Sequence, residues 1–338
     1  MKIKNTELLF LDEAQVESLV TDRQVLQLVE ISFREYSLGN AVNPVKLHLP
    51  IYPDYEGYIN SMPAYLRRLK IAGAKIVSVY SENPAKFHLP ATMGTILLHD
   101  PETGRPYSIM DGTHITAART GAVMGVMAKY LAKPGSEVLT VIGAGAQGLS
   151  GFNMIQLAIG SVREVRVVDI NPEAQDHFIQ QSSKLFPEVA CFKYPDIQTA
   201  CTGSDMVLAA ASSKRPLFDD IKFDSGTTVL IIEGGTTSAL AARSDQFIGD
   251  FRECLVDRIN ASIQLRRPVT GEPEMRPEAV TGEIGDVITG KISGRKNNDE
   301  IILAASVGMG IQDIIVAQAA YEKACKTDQG TVLKFLKD

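Results

Sequence analysis

The sequence has no tryptophan, only four cysteines, only five histidines and no excess of positive charge. Each shortage removes a class of function. Cys191, Cys201, Cys254 and Cys325 stand far apart with no CxxC pair. That argues against a structural zinc site and against a disulfide framework, and makes a reducing cytoplasm the expected setting. The histidines include no HExxH and no close pair, so no metal site is expected. With a net charge of −6, nothing is in place to neutralise phosphates, and nucleic acid is not an expected partner. No apolar run approaches the roughly 18 residues that a membrane-crossing helix needs. The opening MKIKNTELLFLDEAQV lacks the long apolar core and small-residue cleavage site of a signal peptide. Low-complexity tracts and repeats are absent as well.

What remains is a soluble globular composition, 45% hydrophobic and 22% charged over 338 residues, long enough for two domains. Residues 7–38 read as a helix-rich start, with apolar residues at three- and four-residue spacing and Gly39 as the stop. KLHLPIY, GYINSMPAYL, AGAKIVSVYS and GTILLHD then form a strand-rich stretch between Pro, Gly and Asn breaks. The segment Asp100–Pro106 reads as a hairpin turn, and TAARTGAVMGVMAKYLA as a small-residue helix. The texture changes at Pro134. Strands are expected at 137–143, 164–170, 205–211, 227–235 and 253–258, alternating with helical segments. Such alternation implies an α/β fold with a parallel, doubly wound sheet. After Asn298 come a strand, a glycine turn and a long helix. This helix is expected to pack back on the N-terminal half, which would make that domain discontinuous.

Gly143-Ala-Gly145-Ala-Gln-Gly148 is a GxGxxG directly after a strand and before a helix. An acidic residue, Asp169, stands 21 positions past its last glycine, at the end of the next strand. In a dinucleotide-binding turn the first glycine makes the bend and the second lets backbone approach the pyrophosphate. The third lets helix and strand pack closely. The pyrophosphate sits at the helix N-terminus, drawn by free N–H groups and the helix dipole. A carboxylate at position 169 would accept from both ribose hydroxyls and repel a 2′-phosphate. Ile170, Asn171 and Pro172 offer no arginine to receive one, so NAD is expected rather than NADP.

Three cations precede this region. Lys75 interrupts the apolar strand AGAKIVSV, and Arg119 lies in the alanine- and glycine-rich TAARTGAV. A lysine among buried neighbours has a depressed pKa unless an anion compensates. Taken singly, Lys46 and Arg119 read equally well as surface charges. Together with Lys75 they suit a carboxylate, the arginine as a bidentate fork and the lysines as point charges.

With these residues the chain resembles the ornithine cyclodeaminase/mu-crystallin family, which includes archaeal-type alanine dehydrogenases and ketimine reductases. The matching segments are 94–123, VIGAGAQG (141–148), GEIGDVITGKISGR (282–295) and DEIILAASVGMGIQD (299–313). The resemblance implies a homodimer. It implies a substrate and dimerisation domain from 1–118 and 314–338, and a Rossmann domain from 119–313. By resemblance, Lys46 grips the substrate carboxylate. Lys75 is a second carboxylate ligand near the reacting carbon and a catalytic proton donor. Arg119 and Thr120 match the motif at the cofactor phosphates, with Arg119 also near the substrate. Gly143, Gly145, Ala146, Gln147, Gly148 and Asp169 match the cofactor loop, and Ser306, Val307 and Gly308 a segment bordering the nicotinamide. At Ala91 relatives often carry threonine, and the neighbouring Thr92 is the expected cofactor contact in its place.

One departure bears on the reaction. Cyclodeaminases and alanine dehydrogenases of this family carry an aspartate and then a lysine after the fourth Rossmann strand; here Thr236 and Leu240 occupy those places. A threonine cannot serve as a base near neutral pH, which favours reduction of an imine over cyclodeamination. Glu233 is an alternative carboxylate, although one that merely ends a strand is the plainer reading. The expectation is therefore an oxidoreductase acting on the carbon–nitrogen bond of a small amino acid or its imine. The alternatives are an ornithine or lysine cyclodeaminase, a dehydrogenase of N-alkylated amino acids, and a non-catalytic binding protein.

Overall fold

A computed structural model describes residues 1–338 except 212, 214, 215, 233–235, 272 and 338, and except the side chains of 265–270. The chain forms two compact units. One is Met1–Arg119 with Met309–Asp338; the other is Thr120–Gly308. The chain passes from the second unit back to the first at Gly308–Met309.

The first unit opens with strand β1 (Glu7–Leu11), helix α1 (Glu13–Leu19) and helix α2 (Asp22–Ser37). A capping box between Asp12 and Gln15 starts α1, and the Thr21 hydroxyl caps α2. Short strands β2 (Ala41–Val42) and β3 (Leu47–Pro50) follow, then the long antiparallel pair β4 (Tyr58–Leu66) and β5 (Ile71–Val79). After a short helix α3 (Asn83–Phe87), β6 (Thr92–His99) and β7 (Pro106–Asp111) form the expected hairpin. Its turn is fixed by Asp100 Oδ1, which accepts from the N–H groups of Glu102 and Thr103. Helix α4 (Thr113–Leu131) runs out of this unit into the second.

In the second unit β8 (Val138–Ile142), α5 (Ala146–Ile159), β9 (Glu164–Val168), α6 (Pro172–Leu185) and β10 (Ala190–Lys193) alternate. Then come α7 (Ile197–Cys201), β11 (Met206–Ala209), β12 (Thr228–Ile232), α8 (Ser238–Ala242) and β13 (Gln246–Gly249). Helix α9 (Arg252–Thr270), β14 (Gly282–Glu283), α10 (Ile284–Ile288) and β15 (Ile302–Ser306) complete it. All its strands are parallel, in the order β10-β9-β8-β11-β12-β15-β13-β14. Strand order therefore reverses at β8, the place where doubly wound sheets open a crevice at their carboxyl ends.

One expected strand is a helix. Residues 253–258 belong to α9, and the strand at this point is the fully buried four-residue β13. Leu255, Ile259 and Ile263 are all buried and recur every four residues, the period of a helix face.

The chain ends in helix α11 (Gly310–Thr327) and strand β16 (Thr331–Lys334). Helix α11 packs on β4, β5, β6 and α2, and β16 adds to the edge of β1. The first unit's sheet therefore runs β16-β1-β7-β6-β5-β4-β2, with β3 also on β4. Among the described residues, no helix is long and apolar enough to cross a membrane.

Candidate active site

In the first unit Arg119, Asp313 and Lys46 gather around Lys75. In the sheet register Lys75 on β5 stands opposite Met62 of β4 and Ile96 of β6. Both are buried, so the lysine lies in a core row and has no exposed surface. Thr116 and Arg119 are three apart on α4 and share a helix face. The Lys75 ammonium donates to Thr116 Oγ1 at 3.3 Å and to Asp313 Oδ1 at 2.7 Å. Arg119 Nε donates to the same Asp313 oxygen at 3.0 Å, and its Nη1 to Gln312 Oε1 at 3.4 Å. Lys46, half-buried and one residue ahead of β3, adds a third positive charge acting on Lys75.

Burial is the main influence on Lys75 and, with the Arg119 charge, pushes its pKa down to about 7; Asp313 opposes them by charge and hydrogen bond, and Lys46 adds a smaller downward push. The group is thus poised to hold or release a proton near neutrality.

The second unit carries the glycine loop between β8 and α5. Gly143 has φ of +98°, which suits glycine alone. A Cβ on Gly148 would lie 2.0 Å from the Gly143 carbonyl oxygen, so only glycine lets α5 start this close to β8. A Cβ on Gly145 would meet nothing within 4 Å. This residue caps α5 in extended conformation with no side-chain hydrogen bond to the helix N–H groups. The buried Oε1 of Gln147 makes no hydrogen bond among the described residues. An open glycine face, an uncapped helix start and an orphaned polar atom fit the pyrophosphate of a dinucleotide.

Asp169 closes the loop, its Oδ2 accepting from Ala144 N at 2.7 Å and its Oδ1 from Asn171 N at 2.8 Å. A carboxylate has about four acceptor positions, so two remain for ribose hydroxyls.

Ser306 ends β15, Val307 and Gly308 follow it, and all three are organised by a residue that sequence reasoning missed. Asp250, buried at the end of β13, accepts from Ser306 Oγ at 2.6 Å and Gly308 N at 2.8 Å, and from Val307 N at 3.1 Å. Thr92 begins β6 opposite Val79 in the first unit, whereas Thr120 is a buried α4 residue of the second. Thr236 is buried, and Leu240 lies in the core of α8. Glu233 lies outside the described residues. Gln312 and Asp313 were also missed as site residues; their signal was a polar pair inside the apolar helical run GIQDIIVA. Among the described residues, no group of three or more His, Cys, Asp or Glu is arranged to hold a metal ion.

A family model described as the ornithine cyclodeaminase/mu-crystallin family matches residues 6–328. The alanine dehydrogenase of Archaeoglobus fulgidus is 31% identical over 340 residues, covering 98% of this chain and 99% of that protein. A solved structure of Thermococcus litoralis Delta(1)-pyrroline-2-carboxylate reductase in complex with NADH and L-proline superposes with a TM-score of 0.86 at 30% identity. That match covers 96% of this chain and 99% of the other. An archaeal alanine dehydrogenase dimer with bound NAD superposes with a TM-score of 0.85 at 30% identity, covering 98% of this chain and 100% of the other.

Proposed function

The chain belongs to the ornithine cyclodeaminase/mu-crystallin family, and on that premise we propose that it is an NAD-dependent enzyme of the carbon–nitrogen bond. Its substrate is a small imine carboxylate, reduced to the amino acid, or the amino acid oxidised in reverse. The observation that carries this reading is the buried Lys75, which meets Asp313 at 2.7 Å in a cluster with Arg119.

Two buried cations share one carboxylate there, so Lys75, Arg119 and Asp313 together carry one net positive charge. A substrate carboxylate is the matching anion. Arg119 offers it a planar fork, while Lys75 and Lys46 add point charges. Anchoring the acid group at these three side chains fixes the adjoining α-carbon. Lys75, titrating near neutrality, donates a proton in the reductive direction and takes one back in the oxidative direction.

When bound, a nicotinamide dinucleotide supplies or accepts the hydride. Gly143, Gly145, Ala146, Gln147 and Gly148 would hold its pyrophosphate, with Arg119 and Thr120 near the phosphates and Thr92 as a further contact. Asp169 would accept from the ribose hydroxyls, which selects NAD over NADP, and Asp250 would steady Ser306–Gly308 along the nicotinamide. In this reading residues 1–119 with 309–338 serve the substrate, and 120–308 serve the cofactor. Thr236 cannot take up a proton near neutral pH, which disfavours cyclodeamination.

An NADH-oxidation screen tests the proposal. It pairs cyclic imine carboxylates, and 2-oxo acids with ammonia or methylamine, with amino-acid oxidation in reverse. NADH consumption in proportion to the imine is expected. Ammonia release without net change in NADH would instead mark a cyclodeaminase. Cofactor binding with no oxidation across the panel would mark a binding protein.

A further inference from the structure

Asp313 is a buried carboxylate to which the chemistry above gives no task. It has no exposed surface and stands in α11 among the buried Ile311, Ile314 and Ile315. Its Oδ1 receives both Lys75 Nζ at 2.7 Å and Arg119 Nε at 3.0 Å, and its Oδ2 makes no hydrogen bond among the described residues. Two cations therefore meet at one of its oxygens. An ion so completely desolvated adds little to stability compared with a well-packed apolar residue. Its value lies in what it does to its neighbours.

Resting on the reading that Lys75 and Arg119 receive a substrate carboxylate, we propose that Asp313 is a positioning residue for the reaction. Through one shared oxygen it holds the Lys75 ammonium beside the Arg119 guanidinium, as a charged pair ready for the acid group of the substrate.

Among the described residues, the charged groups facing Lys75 are Arg119 from α4, Asp313 from α11 and Lys46 from the segment before β3; Thr116 of α4 adds a neutral hydroxyl. Of these, only Asp313 favours the ammonium over the amine. Arginine does not give up its proton in proteins. If Asp313 were neutral, the repulsion between Lys75 and Arg119 would be relieved in one way, by loss of the Lys75 proton. The lysine would then lack both the charge that grips a carboxylate and the proton it donates. With Asp313 ionised, the buried trio carries one net positive charge, and a monocarboxylate brings it to neutrality.

The test compares wild type with Asp313→Asn and Asp313→Glu as full-length chains. One readout is the pH profile of kcat/KM for NADH-dependent reduction of a cyclic imine carboxylate. The other is ¹⁵N NMR of the lysine Nζ atoms in substrate-free protein, with Lys75 assigned by the signal lost in Lys75→Met. In wild type the alkaline fall in kcat/KM should follow the Lys75 titration. Asp313→Asn should move both to lower pH by roughly one to three units, cutting kcat/KM about tenfold or more at about pH 7.5. Asp313→Glu should return the titration towards the wild-type position. A Lys75 titration unmoved in Asp313→Asn, whatever its activity, overturns the proposal. The NMR readout needs no substrate, so an inactive wild type defeats the functional reading separately from the pairing of Asp313 with Lys75. Should Asp313→Asn fail to fold, the double variant Asp313→Asn/Lys75→Met should fold, because the repulsion is gone. A double variant that also fails would overturn the proposal.

Discussion

A lysine ammonium gives up its hydration when it enters the apolar row of a sheet, and Lys75 does so between Met62 and Ile96. The depressed pKa has a consequence for stability. The unfolded chain binds the Lys75 proton up to about 10.5, whereas the folded chain releases it at about 7. Stability is therefore reduced most below about pH 7, and the loss is recovered as pH rises towards 10.5. Replacing Lys75 by methionine removes that dependence. We predict that Lys75→Met melts no lower than wild type near pH 7, and that its margin over wild type shrinks by pH 9, as thermal melts at the two pH values will show. Lys75 was legible in the sequence because a lysine in AGAKIVSV breaks an apolar alternation. Asp313 was passed over, since the polar pair Gln312-Asp313 leaves the apolar period of a long helix intact and nothing local names the cations it meets. Asp250 was hidden because the short β13 before it gave too little pattern to locate a strand end.

The element that decides cofactor binding is the turn from β8 into α5. A methyl group on Gly148 would overlap the Gly143 carbonyl oxygen, so helix and strand would have to separate. We expect Gly148→Ala to cost about 1–3 kcal/mol by overpacking, seen in chemical denaturation, and to weaken NADH binding by about tenfold or more in fluorescence titration. Strands β8, β9, β11 and β12 were readable because buried parallel strands are continuous β-branched runs bounded by turns. Helix α9 was misread where ECLVDR imitates such a run; its helical period emerges only over the longer span to Ile263. Strand β1 fell inside a stretch read as helix-rich. Five residues, ELLFL, carry no decisive period, and β1 is fixed by distant partners, β7 in parallel and β16 antiparallel.

At the scale of the molecule, the return of α11 to β4, β5 and β6 gives the first unit its buried acid. The helix itself was evident from apolar spacing, and its return to the N-terminal half was expected from the chain's layout, independently of the resemblance. Its contribution of Asp313 rests on contacts between residues 238 positions apart, which no local pattern records. Leu47, Leu49, Tyr52 and Tyr55 of the first unit are exposed, a surface suited to pairing with a second copy. Sedimentation equilibrium should give twice the chain mass if this surface pairs two copies; a monomer at micromolar concentration would exclude the dimer.

The central claim is that Lys75 serves hydride exchange at a carbon–nitrogen bond. It is tested most directly by following deuterium from C4-labelled NADH into product by mass spectrometry, in wild type and in Lys75→Met, with a cyclic imine carboxylate as acceptor. The account predicts label on the α-carbon of the amino acid in wild type, and incorporation slower by about 10²-fold or more in the variant with NADH affinity retained. Equal rates of incorporation in the two proteins, or a product carrying no label, would contradict it.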